Sequence, residues 1–249
     1  MVTVHDLVPV LFPETMSTWS GLYTRATLRS VIKSADIIVA VSQTTANDLN
    51  RLLHISPDRI RVVWSGVDEI FLRQEGTAPL PIPTPYVLFV GTPEPRKNLP
   101  RLVEAMKVLR KHGLEQRLVI AGGGGWGKVA LDSRDVHVLG RVSDAELASL
   151  YTHASCLALP SLYEGFGLTA VEAMAVGTPV VASSAGSLPE ITGSAAVLVD
   201  PYDVGAIAAG LERAIRERDS LIIRGQERAT QFRWERTAGM MTEVYKEVE

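Results

Sequence analysis

Residues 156–183 read CLALPSLYEGFGLTAVEAMAVGTPVVAS, and the order of residue types along them decides the fold. Cys156–Leu159 is an apolar run of strand length without the polar alternation of a half-exposed strand. A loop with glycines at 165 and 167 follows, and then a helix-favouring stretch, Gly167–Val176. Pro179–Ala182 (PVVA) restores strand character. Strand, glycine loop, helix and strand in this order form a βαβ unit, whose two strands run parallel. Unbroken apolarity suits strands covered on both faces.

The same alternation extends outward in both directions. Further strand-length runs are Asp36–Val41, Ile60–Val63, Tyr86–Val90, Leu118–Ala121, Val136–Leu139 and Ala196–Val199. Amphipathic stretches Leu99–His112, Asp144–His153 and Val204–Arg218 lie between them. Leu102, Met106 and Leu109 share one helical face, and Ser143 before Asp144 and Glu146 marks a helix start. The fold class expected is α/β, with Rossmann-like doubly wound parallel sheets. Four prolines in Gly76–Pro85 (GTAPLPIPTP) read as an extended linker. The expected division is a partial amino-terminal Rossmann-like unit over 1–75, the linker at 76–85 and a complete unit over 86–231. A helix over 232–249 is expected to cross back to the first unit, with Met240, Met241, Val244, Tyr245 and Val248 as its apolar stripe. Val2–Val4 reads as a buried strand directly after Met1, as if the chain began inside a domain.

Composition narrows the function classes. The chain has 249 residues, 46% hydrophobic and 21% charged, which suits a globular protein and not a disordered one. Lys plus Arg number 25 against 28 Asp plus Glu, so no basic excess points to nucleic acid. Cys156 stands alone, which excludes a disulfide framework and a cysteine-only metal cage. No apolar run reaches membrane-spanning length, and MVTVHDLVPVLFPE lacks a basic leader, so a cytoplasmic protein is expected.

Two constellations carry chemistry. Glu164 stands in the glycine loop and Glu172 inside the following helix, eight positions on, so the two carboxylates can address different parts of one long ligand. The amino-terminal amides of that helix suit an anion. An isolated pair of this kind is ordinarily a turn residue and a solvated first-turn glutamate; the glycines and the strand–loop–helix setting reverse that reading. Arg96 and Lys97 follow strand 86–90 and the turn opened by Gly91. Cations at the carboxyl end of a parallel strand are placed for phosphate. Gly122–Lys128 (GGGGWGK) imitates a P-loop, but Val129 stands where Ser or Thr would hold Mg²⁺. The histidines show no metal-ligand spacing, and no metal is assigned.

The segment resembles the E-x7-E signature of retaining glycosyltransferases of family 4, with Glu164 and Glu172 as its two glutamates, EGFG, EAMA and GTPVV in place. FVGTPEPRKNLPRLVEAM (89–106), LVIAGGGG, LGRVSDAELASLY, AGSLPEI and FRWERTA follow the family's order, and HDLVP (5–9) and VSQTTANDL (41–49) resemble its amino-terminal half. The resemblance implies a GT-B fold and metal-independent transfer of a hexose, mannose favoured, from a nucleotide diphosphate sugar to a saccharide or lipid-linked acceptor. It further implies that Arg96 and Lys97 hold the diphosphate, assisted by Gly91 and the backbone of Phe166, Gly167, Leu168 and Thr169. Glu164 then faces sugar and phosphate, Glu172 takes the ribose hydroxyls, Val142 lies against the base, and His5 approaches the sugar from the first unit. Many family members carry an extra Arg after the glycine, where this chain has Thr92. Two rival readings stay open: a nucleotide-sugar-binding module that is not competent alone, and a P-loop ATPase. A homodimer or complementing chain, and peripheral membrane contact, are also expected.

Overall fold

The computed structural model describes residues 1–13, 27–73, 80–82, 84–123 and 136–247. Part of the proline-rich linker and the glycine run from Gly124 through Val129 lie outside the described residues, as does Val248. Two parallel sheets are present among the described residues. The smaller has the order β1-β2-β3, formed by β1 (Val2–Val4), β2 (Ile38–Ala40) and β3 (Ile60–Val62). Short helix α1 (Val8–Leu11), helical residues 27–34 (α2) and α3 (Gln43–Leu53) accompany it. Only Val4 of β1 is buried, because β1 lies at the edge of the described sheet and Thr3 faces outward.

The larger sheet runs β6-β5-β4-β7-β8-β9, all parallel. Its strands are β4 (Tyr86–Val90), β5 (Arg117–Ala121), β6 (Val136–Gly140), β7 (Cys156–Leu159), β8 (Val180–Ser183) and β9 (Ala196–Val199). The helices are α4 (Glu69–Leu72), α5 (Leu99–Lys111), α6 (Asp144–His153), α7 (Leu168–Val176), α8 (Leu188–Thr192), α9 (Val204–Arg216), α10 (Arg218–Ala229) and α11 (Trp234–Lys246). The residues of a strand divide between two cores, which is why the runs are apolar throughout. Tyr86, Leu88 and Val90 pack with α6, α7 and α8, while Val87 and Phe89 pack with α5 and α9. Leu157 and Leu159 separate from Cys156 and Ala158 in the same way. One-sided burial would have produced polar alternation.

Several boundaries differ from the sequence reading. Val204–Arg218 breaks after Arg216, and α10 begins at Arg218. In α11, Val244 is buried against Val39 and Val63 of the small sheet's surroundings, and Met240 and Met241 join that cluster, but Tyr245 is exposed. Arg61 pairs with Glu247 at 2.5 Å, and the Thr237 hydroxyl donates to the Trp64 carbonyl at 2.8 Å. The carboxy-terminal helix thus lies on the small sheet.

Candidate donor-binding site

Strand order reverses between β4 and β7. β5 and β6 extend to one side and β8 and β9 to the other, so the two central strands form a topological switch point, at whose carboxyl ends a crevice is expected. Open parallel sheets bind ligands at such a point. The loops after β4 and β7 meet there. Leu162 N–H donates to the Arg96 carbonyl at 2.7 Å. Buried Asn98, with φ of 60°, donates from Nδ2 to the carbonyls of Pro160 at 2.9 Å and Pro201 at 2.6 Å. Its left-handed backbone turns the chain into α5, while its side chain ties that turn to the loops after β7 and β9.

The structure brings Arg96, Lys97 and Glu164 together in this crevice. Lys97 Nζ lies 2.7 Å from Glu164 Oε1, and Arg96 Nη1 lies 3.2 Å from Oε2. Ser161 Oγ donates to Oε1 at 2.7 Å. Arg96 also reaches Glu94 through Nε at 3.0 Å and the Tyr163 carbonyl at 3.2 Å. Burial pushes the Glu164 carboxyl up, but Lys97, then Arg96, and the hydrogen bonds outweigh it and hold the group below the usual carboxylate range. Gly91 takes φ of 136°, which L side chains rarely adopt; a Cβ there would make only ordinary contact with Lys97 Cε at 3.6 Å, so the backbone turn rather than crowding calls for glycine. Among the described residues, no acceptor meets Arg96 Nη2, and Lys97 spends one donor on Glu164. The remaining donors are the ones an anion can take.

Gly167, in the left-handed region at φ 96°, caps α7. Leu168 and Thr169 open the helix, where amides lack intrahelical partners. The Phe166 ring is buried and meets Phe232 edge-on at 5.8 Å. Ser187 Oγ donates to the carbonyls of Glu164 and Phe166 at 2.9 and 2.8 Å and fixes the loop's path.

Glu172 sits in the second turn of α7, buried, with Oε2 accepting from the Tyr151 hydroxyl at 2.8 Å. Burial pushes its carboxyl up; Tyr151 opposes this, while Asp144 and Asp68 add to it. Val142 is half-buried in the turn before α6, whose first residue, Asp144, acts on Glu172. A folded-state value above the unfolded one stabilises the fold below the unfolded value and is lost as pH rises through the folded one. Glu172→Gln is therefore expected to raise Tm at pH 7 relative to the parent and to narrow that gap near pH 4. A lower Tm for the variant across this range would contradict the assignment.

The small sheet contributes directly. The side of Gly165 faces the turn after β1: a Cβ there would lie 2.0 Å from the His5 carbonyl oxygen and 2.7 Å from Asp6 Cβ. His5 itself is exposed beside this contact. Ser42 Oγ, the cap of α3, donates to the Gly165 carbonyl at 2.6 Å, and Thr45 Oγ1 does so at 3.2 Å. Tyr163 donates to Asp48 at 2.9 Å. Glu190 receives the amides of Gln43 and Thr44 at 2.8 and 3.0 Å and the Trp64 indole at 3.1 Å. Among the described residues no cluster of three or more His, Cys, Asp or Glu has metal-binding geometry, and no helix is long and apolar enough to cross a membrane.

Comparison with known proteins shows the family. The model of the family "Glycosyl transferases group 1" matches residues 77–231, and that of "Glycosyltransferase Family 4" matches residues 1–71. The chain is similar to the O-antigen chain mannosyltransferase B of Escherichia coli, 32% identical over 99% of this chain and 70% of that protein. It is 35% identical, over 88% of this chain and 56% of the relative, to the MMP alpha-(1->4)-mannosyltransferase of Mycolicibacterium hassiacum. The chain thus spans 70% of the first relative and little more than half of the second. Its fold resembles the sucrose-phosphate synthase of Thermosynechococcus elongatus, with a TM-score of 0.78 and 26% identity over 99% of this chain and 67% of that one. HepE of Anabaena in complex with UDP-glucose shares the fold, with a TM-score of 0.77 and 20% identity over 99% of this chain and 71% of that one. With its parallel α/β architecture and the larger sheet falling wholly within the first match, the chain belongs to the glycosyl transferases of group 1.

Proposed function

We propose that the chain binds a nucleotide diphosphate sugar in the crevice between β4 and β7 and transfers its hexose, mannose in the favoured reading, to a saccharide or lipid-linked acceptor with retention at the anomeric carbon. The observation that carries this is the Arg96–Lys97–Glu164 cluster at the strand-order reversal, beside the amides that open α7. The two mannosyltransferase relatives support the choice of sugar.

The chemical task is to stabilise negative charge growing on a leaving nucleoside diphosphate. The open donors of Arg96 and Lys97 and the amides of Leu168 and Thr169 meet that charge, so the reading needs no metal ion. Glu164 is a poor nucleophile or base, because two cations and Ser161 already stabilise its charge. Its part is to hold both cations at the diphosphate and to accept from the sugar. With Glu164 held by two cations and Ser161 rather than free to attack, the acceptor proton goes to the leaving phosphate, which fits front-face transfer. Glu172 takes the ribose hydroxyls, the turn of Val142 borders the base, and His5 faces the sugar from the small-sheet side.

Calorimetry of the full chain with GDP, UDP, ADP and inorganic pyrophosphate tests this reading. One nucleoside diphosphate should bind well above pyrophosphate. Glu172→Ala should lower its affinity roughly ten- to hundredfold, the equivalent of hydrogen bonds to a charged group. Pyrophosphate, which has no ribose, should bind parent and variant alike. An equal loss for both ligands would remove Glu172 from the ribose.

A further inference from the structure

We propose that Tyr151 is a positioning residue for Glu172: its phenol fixes one carboxylate oxygen so that the other is presented to the vicinal hydroxyls of a nucleotide ribose. This rests on the reading of Glu172 given above and concerns what makes that glutamate able to serve.

Tyr151 is fully buried and immobilised at both ends. Its carbonyl accepts from Thr178 Oγ1 at 2.6 Å, and its ring meets Phe71 of α4 edge-on at 5.9 Å. Among the described residues the acceptor that its hydroxyl meets is Glu172 Oε2, at 2.8 Å. Among the described residues no donor reaches Oε1, and that oxygen is not sealed from solvent. A carboxylate oxygen open to solvent beside a satisfied twin is one whose lone pairs a ligand hydroxyl can take.

The charged form of Glu172 depends on the same bond. The groups facing the carboxyl are Tyr151 and Asp144 on α6 and Asp68 at the start of α4. Both aspartates and the burial favour the neutral acid, and only the phenol favours the carboxylate. A neutral carboxyl accepts more weakly from hydroxyls than a charged one. Tyr151 thus acts on orientation and on charge together, without touching the ligand.

The test is Tyr151→Phe, which deletes the hydroxyl and keeps the ring, measured by calorimetry from pH 4.5 to 8 with GDP or UDP, whichever the parent binds more tightly, and with pyrophosphate. The expected result is about a tenfold loss of nucleotide affinity at pH 7, the worth of one hydrogen bond to a charged group. Pyrophosphate affinity should stay unchanged, and the acid limb of nucleotide binding should move to higher pH. Added to Glu172→Gln, the variant should cost nothing further. Parallel losses for both ligands would reduce Tyr151 to packing and overturn the proposal. So would unchanged nucleotide affinity with an unmoved acid limb in Tyr151→Phe while Glu172→Gln binds poorly. If Glu172→Gln itself binds nucleotide as the parent does, the ribose reading fails first and takes the proposal with it.

Discussion

Lys97→Ala should weaken nucleoside diphosphate binding by up to about a hundredfold and destabilise the fold in the same stroke. Lost charge-assisted bonds to phosphate supply the first effect. The second comes from Glu164, which is buried and loses its 2.7 Å partner. Removing one member of a buried ion pair costs roughly 3–5 kcal/mol, and Arg96 at 3.2 Å keeps the loss toward the lower end. The pH dependence carries the signature. In the parent, the Glu164 carboxyl is held below its unfolded value, so its contribution is present above that value and is lost as pH falls through the folded one. Without Lys97, burial meets less opposition and the folded value climbs toward or past the unfolded one, so the acid-side loss shrinks or reverses and the variant's deficit in Tm narrows as pH falls. Thermal unfolding between pH 4 and 8 checks this, with Lys97→Arg restoring the charge. Superimposable curves for Lys97→Ala and the parent would show that the pair is not coupled.

Gly165→Ala should abolish most transfer while changing pyrophosphate binding little. Its Cβ would stand 2.0 Å from the His5 carbonyl oxygen, a backbone atom that cannot rotate aside as a side chain could. The turn after β1 must back away from the EGFG loop, carrying His5 with it. A displacement near 1 Å at a reacting centre costs about a hundredfold in rate. Arg96 and Lys97 belong to the β4 loop and keep their places. Sugar transfer assayed beside pyrophosphate calorimetry separates the two effects. Parental turnover in Gly165→Ala would mean that the contact between the turn and the loop has no part in the reaction.

The large sheet was legible because β4, β7 and β8 are buried on both faces, and such strands leave unbroken apolar runs in the sequence. Ser143 and Glu146 were legible as a helix start, and they form a complete capping box. The small sheet was harder to read, since each of its three strands has three residues and β1 buries one. The residue types at 96, 97 and 164 pointed to phosphate and sugar, but their pairing did not follow from spacing, because it is set where two loops 67 residues apart meet. Tyr151, Ser161, Ser187 and Glu190 were missed as partners. Ser187 and Glu190 lie within AGSLPEI, yet a serine that bonds two carbonyls and a glutamate that bonds two amides of a distant helix leave no periodic trace.

The EGFG loop serves two masters: its Glu164 side chain grips the cations of the crevice, while its Gly165 carbonyl is gripped by Ser42 and Thr45. A segment that belongs to a ligand site and to a seam between two sheets cannot respond to one without informing the other. Whatever factor the seam contributes to holding the ligand, the ligand returns to the seam, since coupling free energy is reciprocal. On the proposed reading, occupancy of the crevice and adhesion of the two sheets are then linked equilibria, and a bound nucleotide would double as a clasp for the fold.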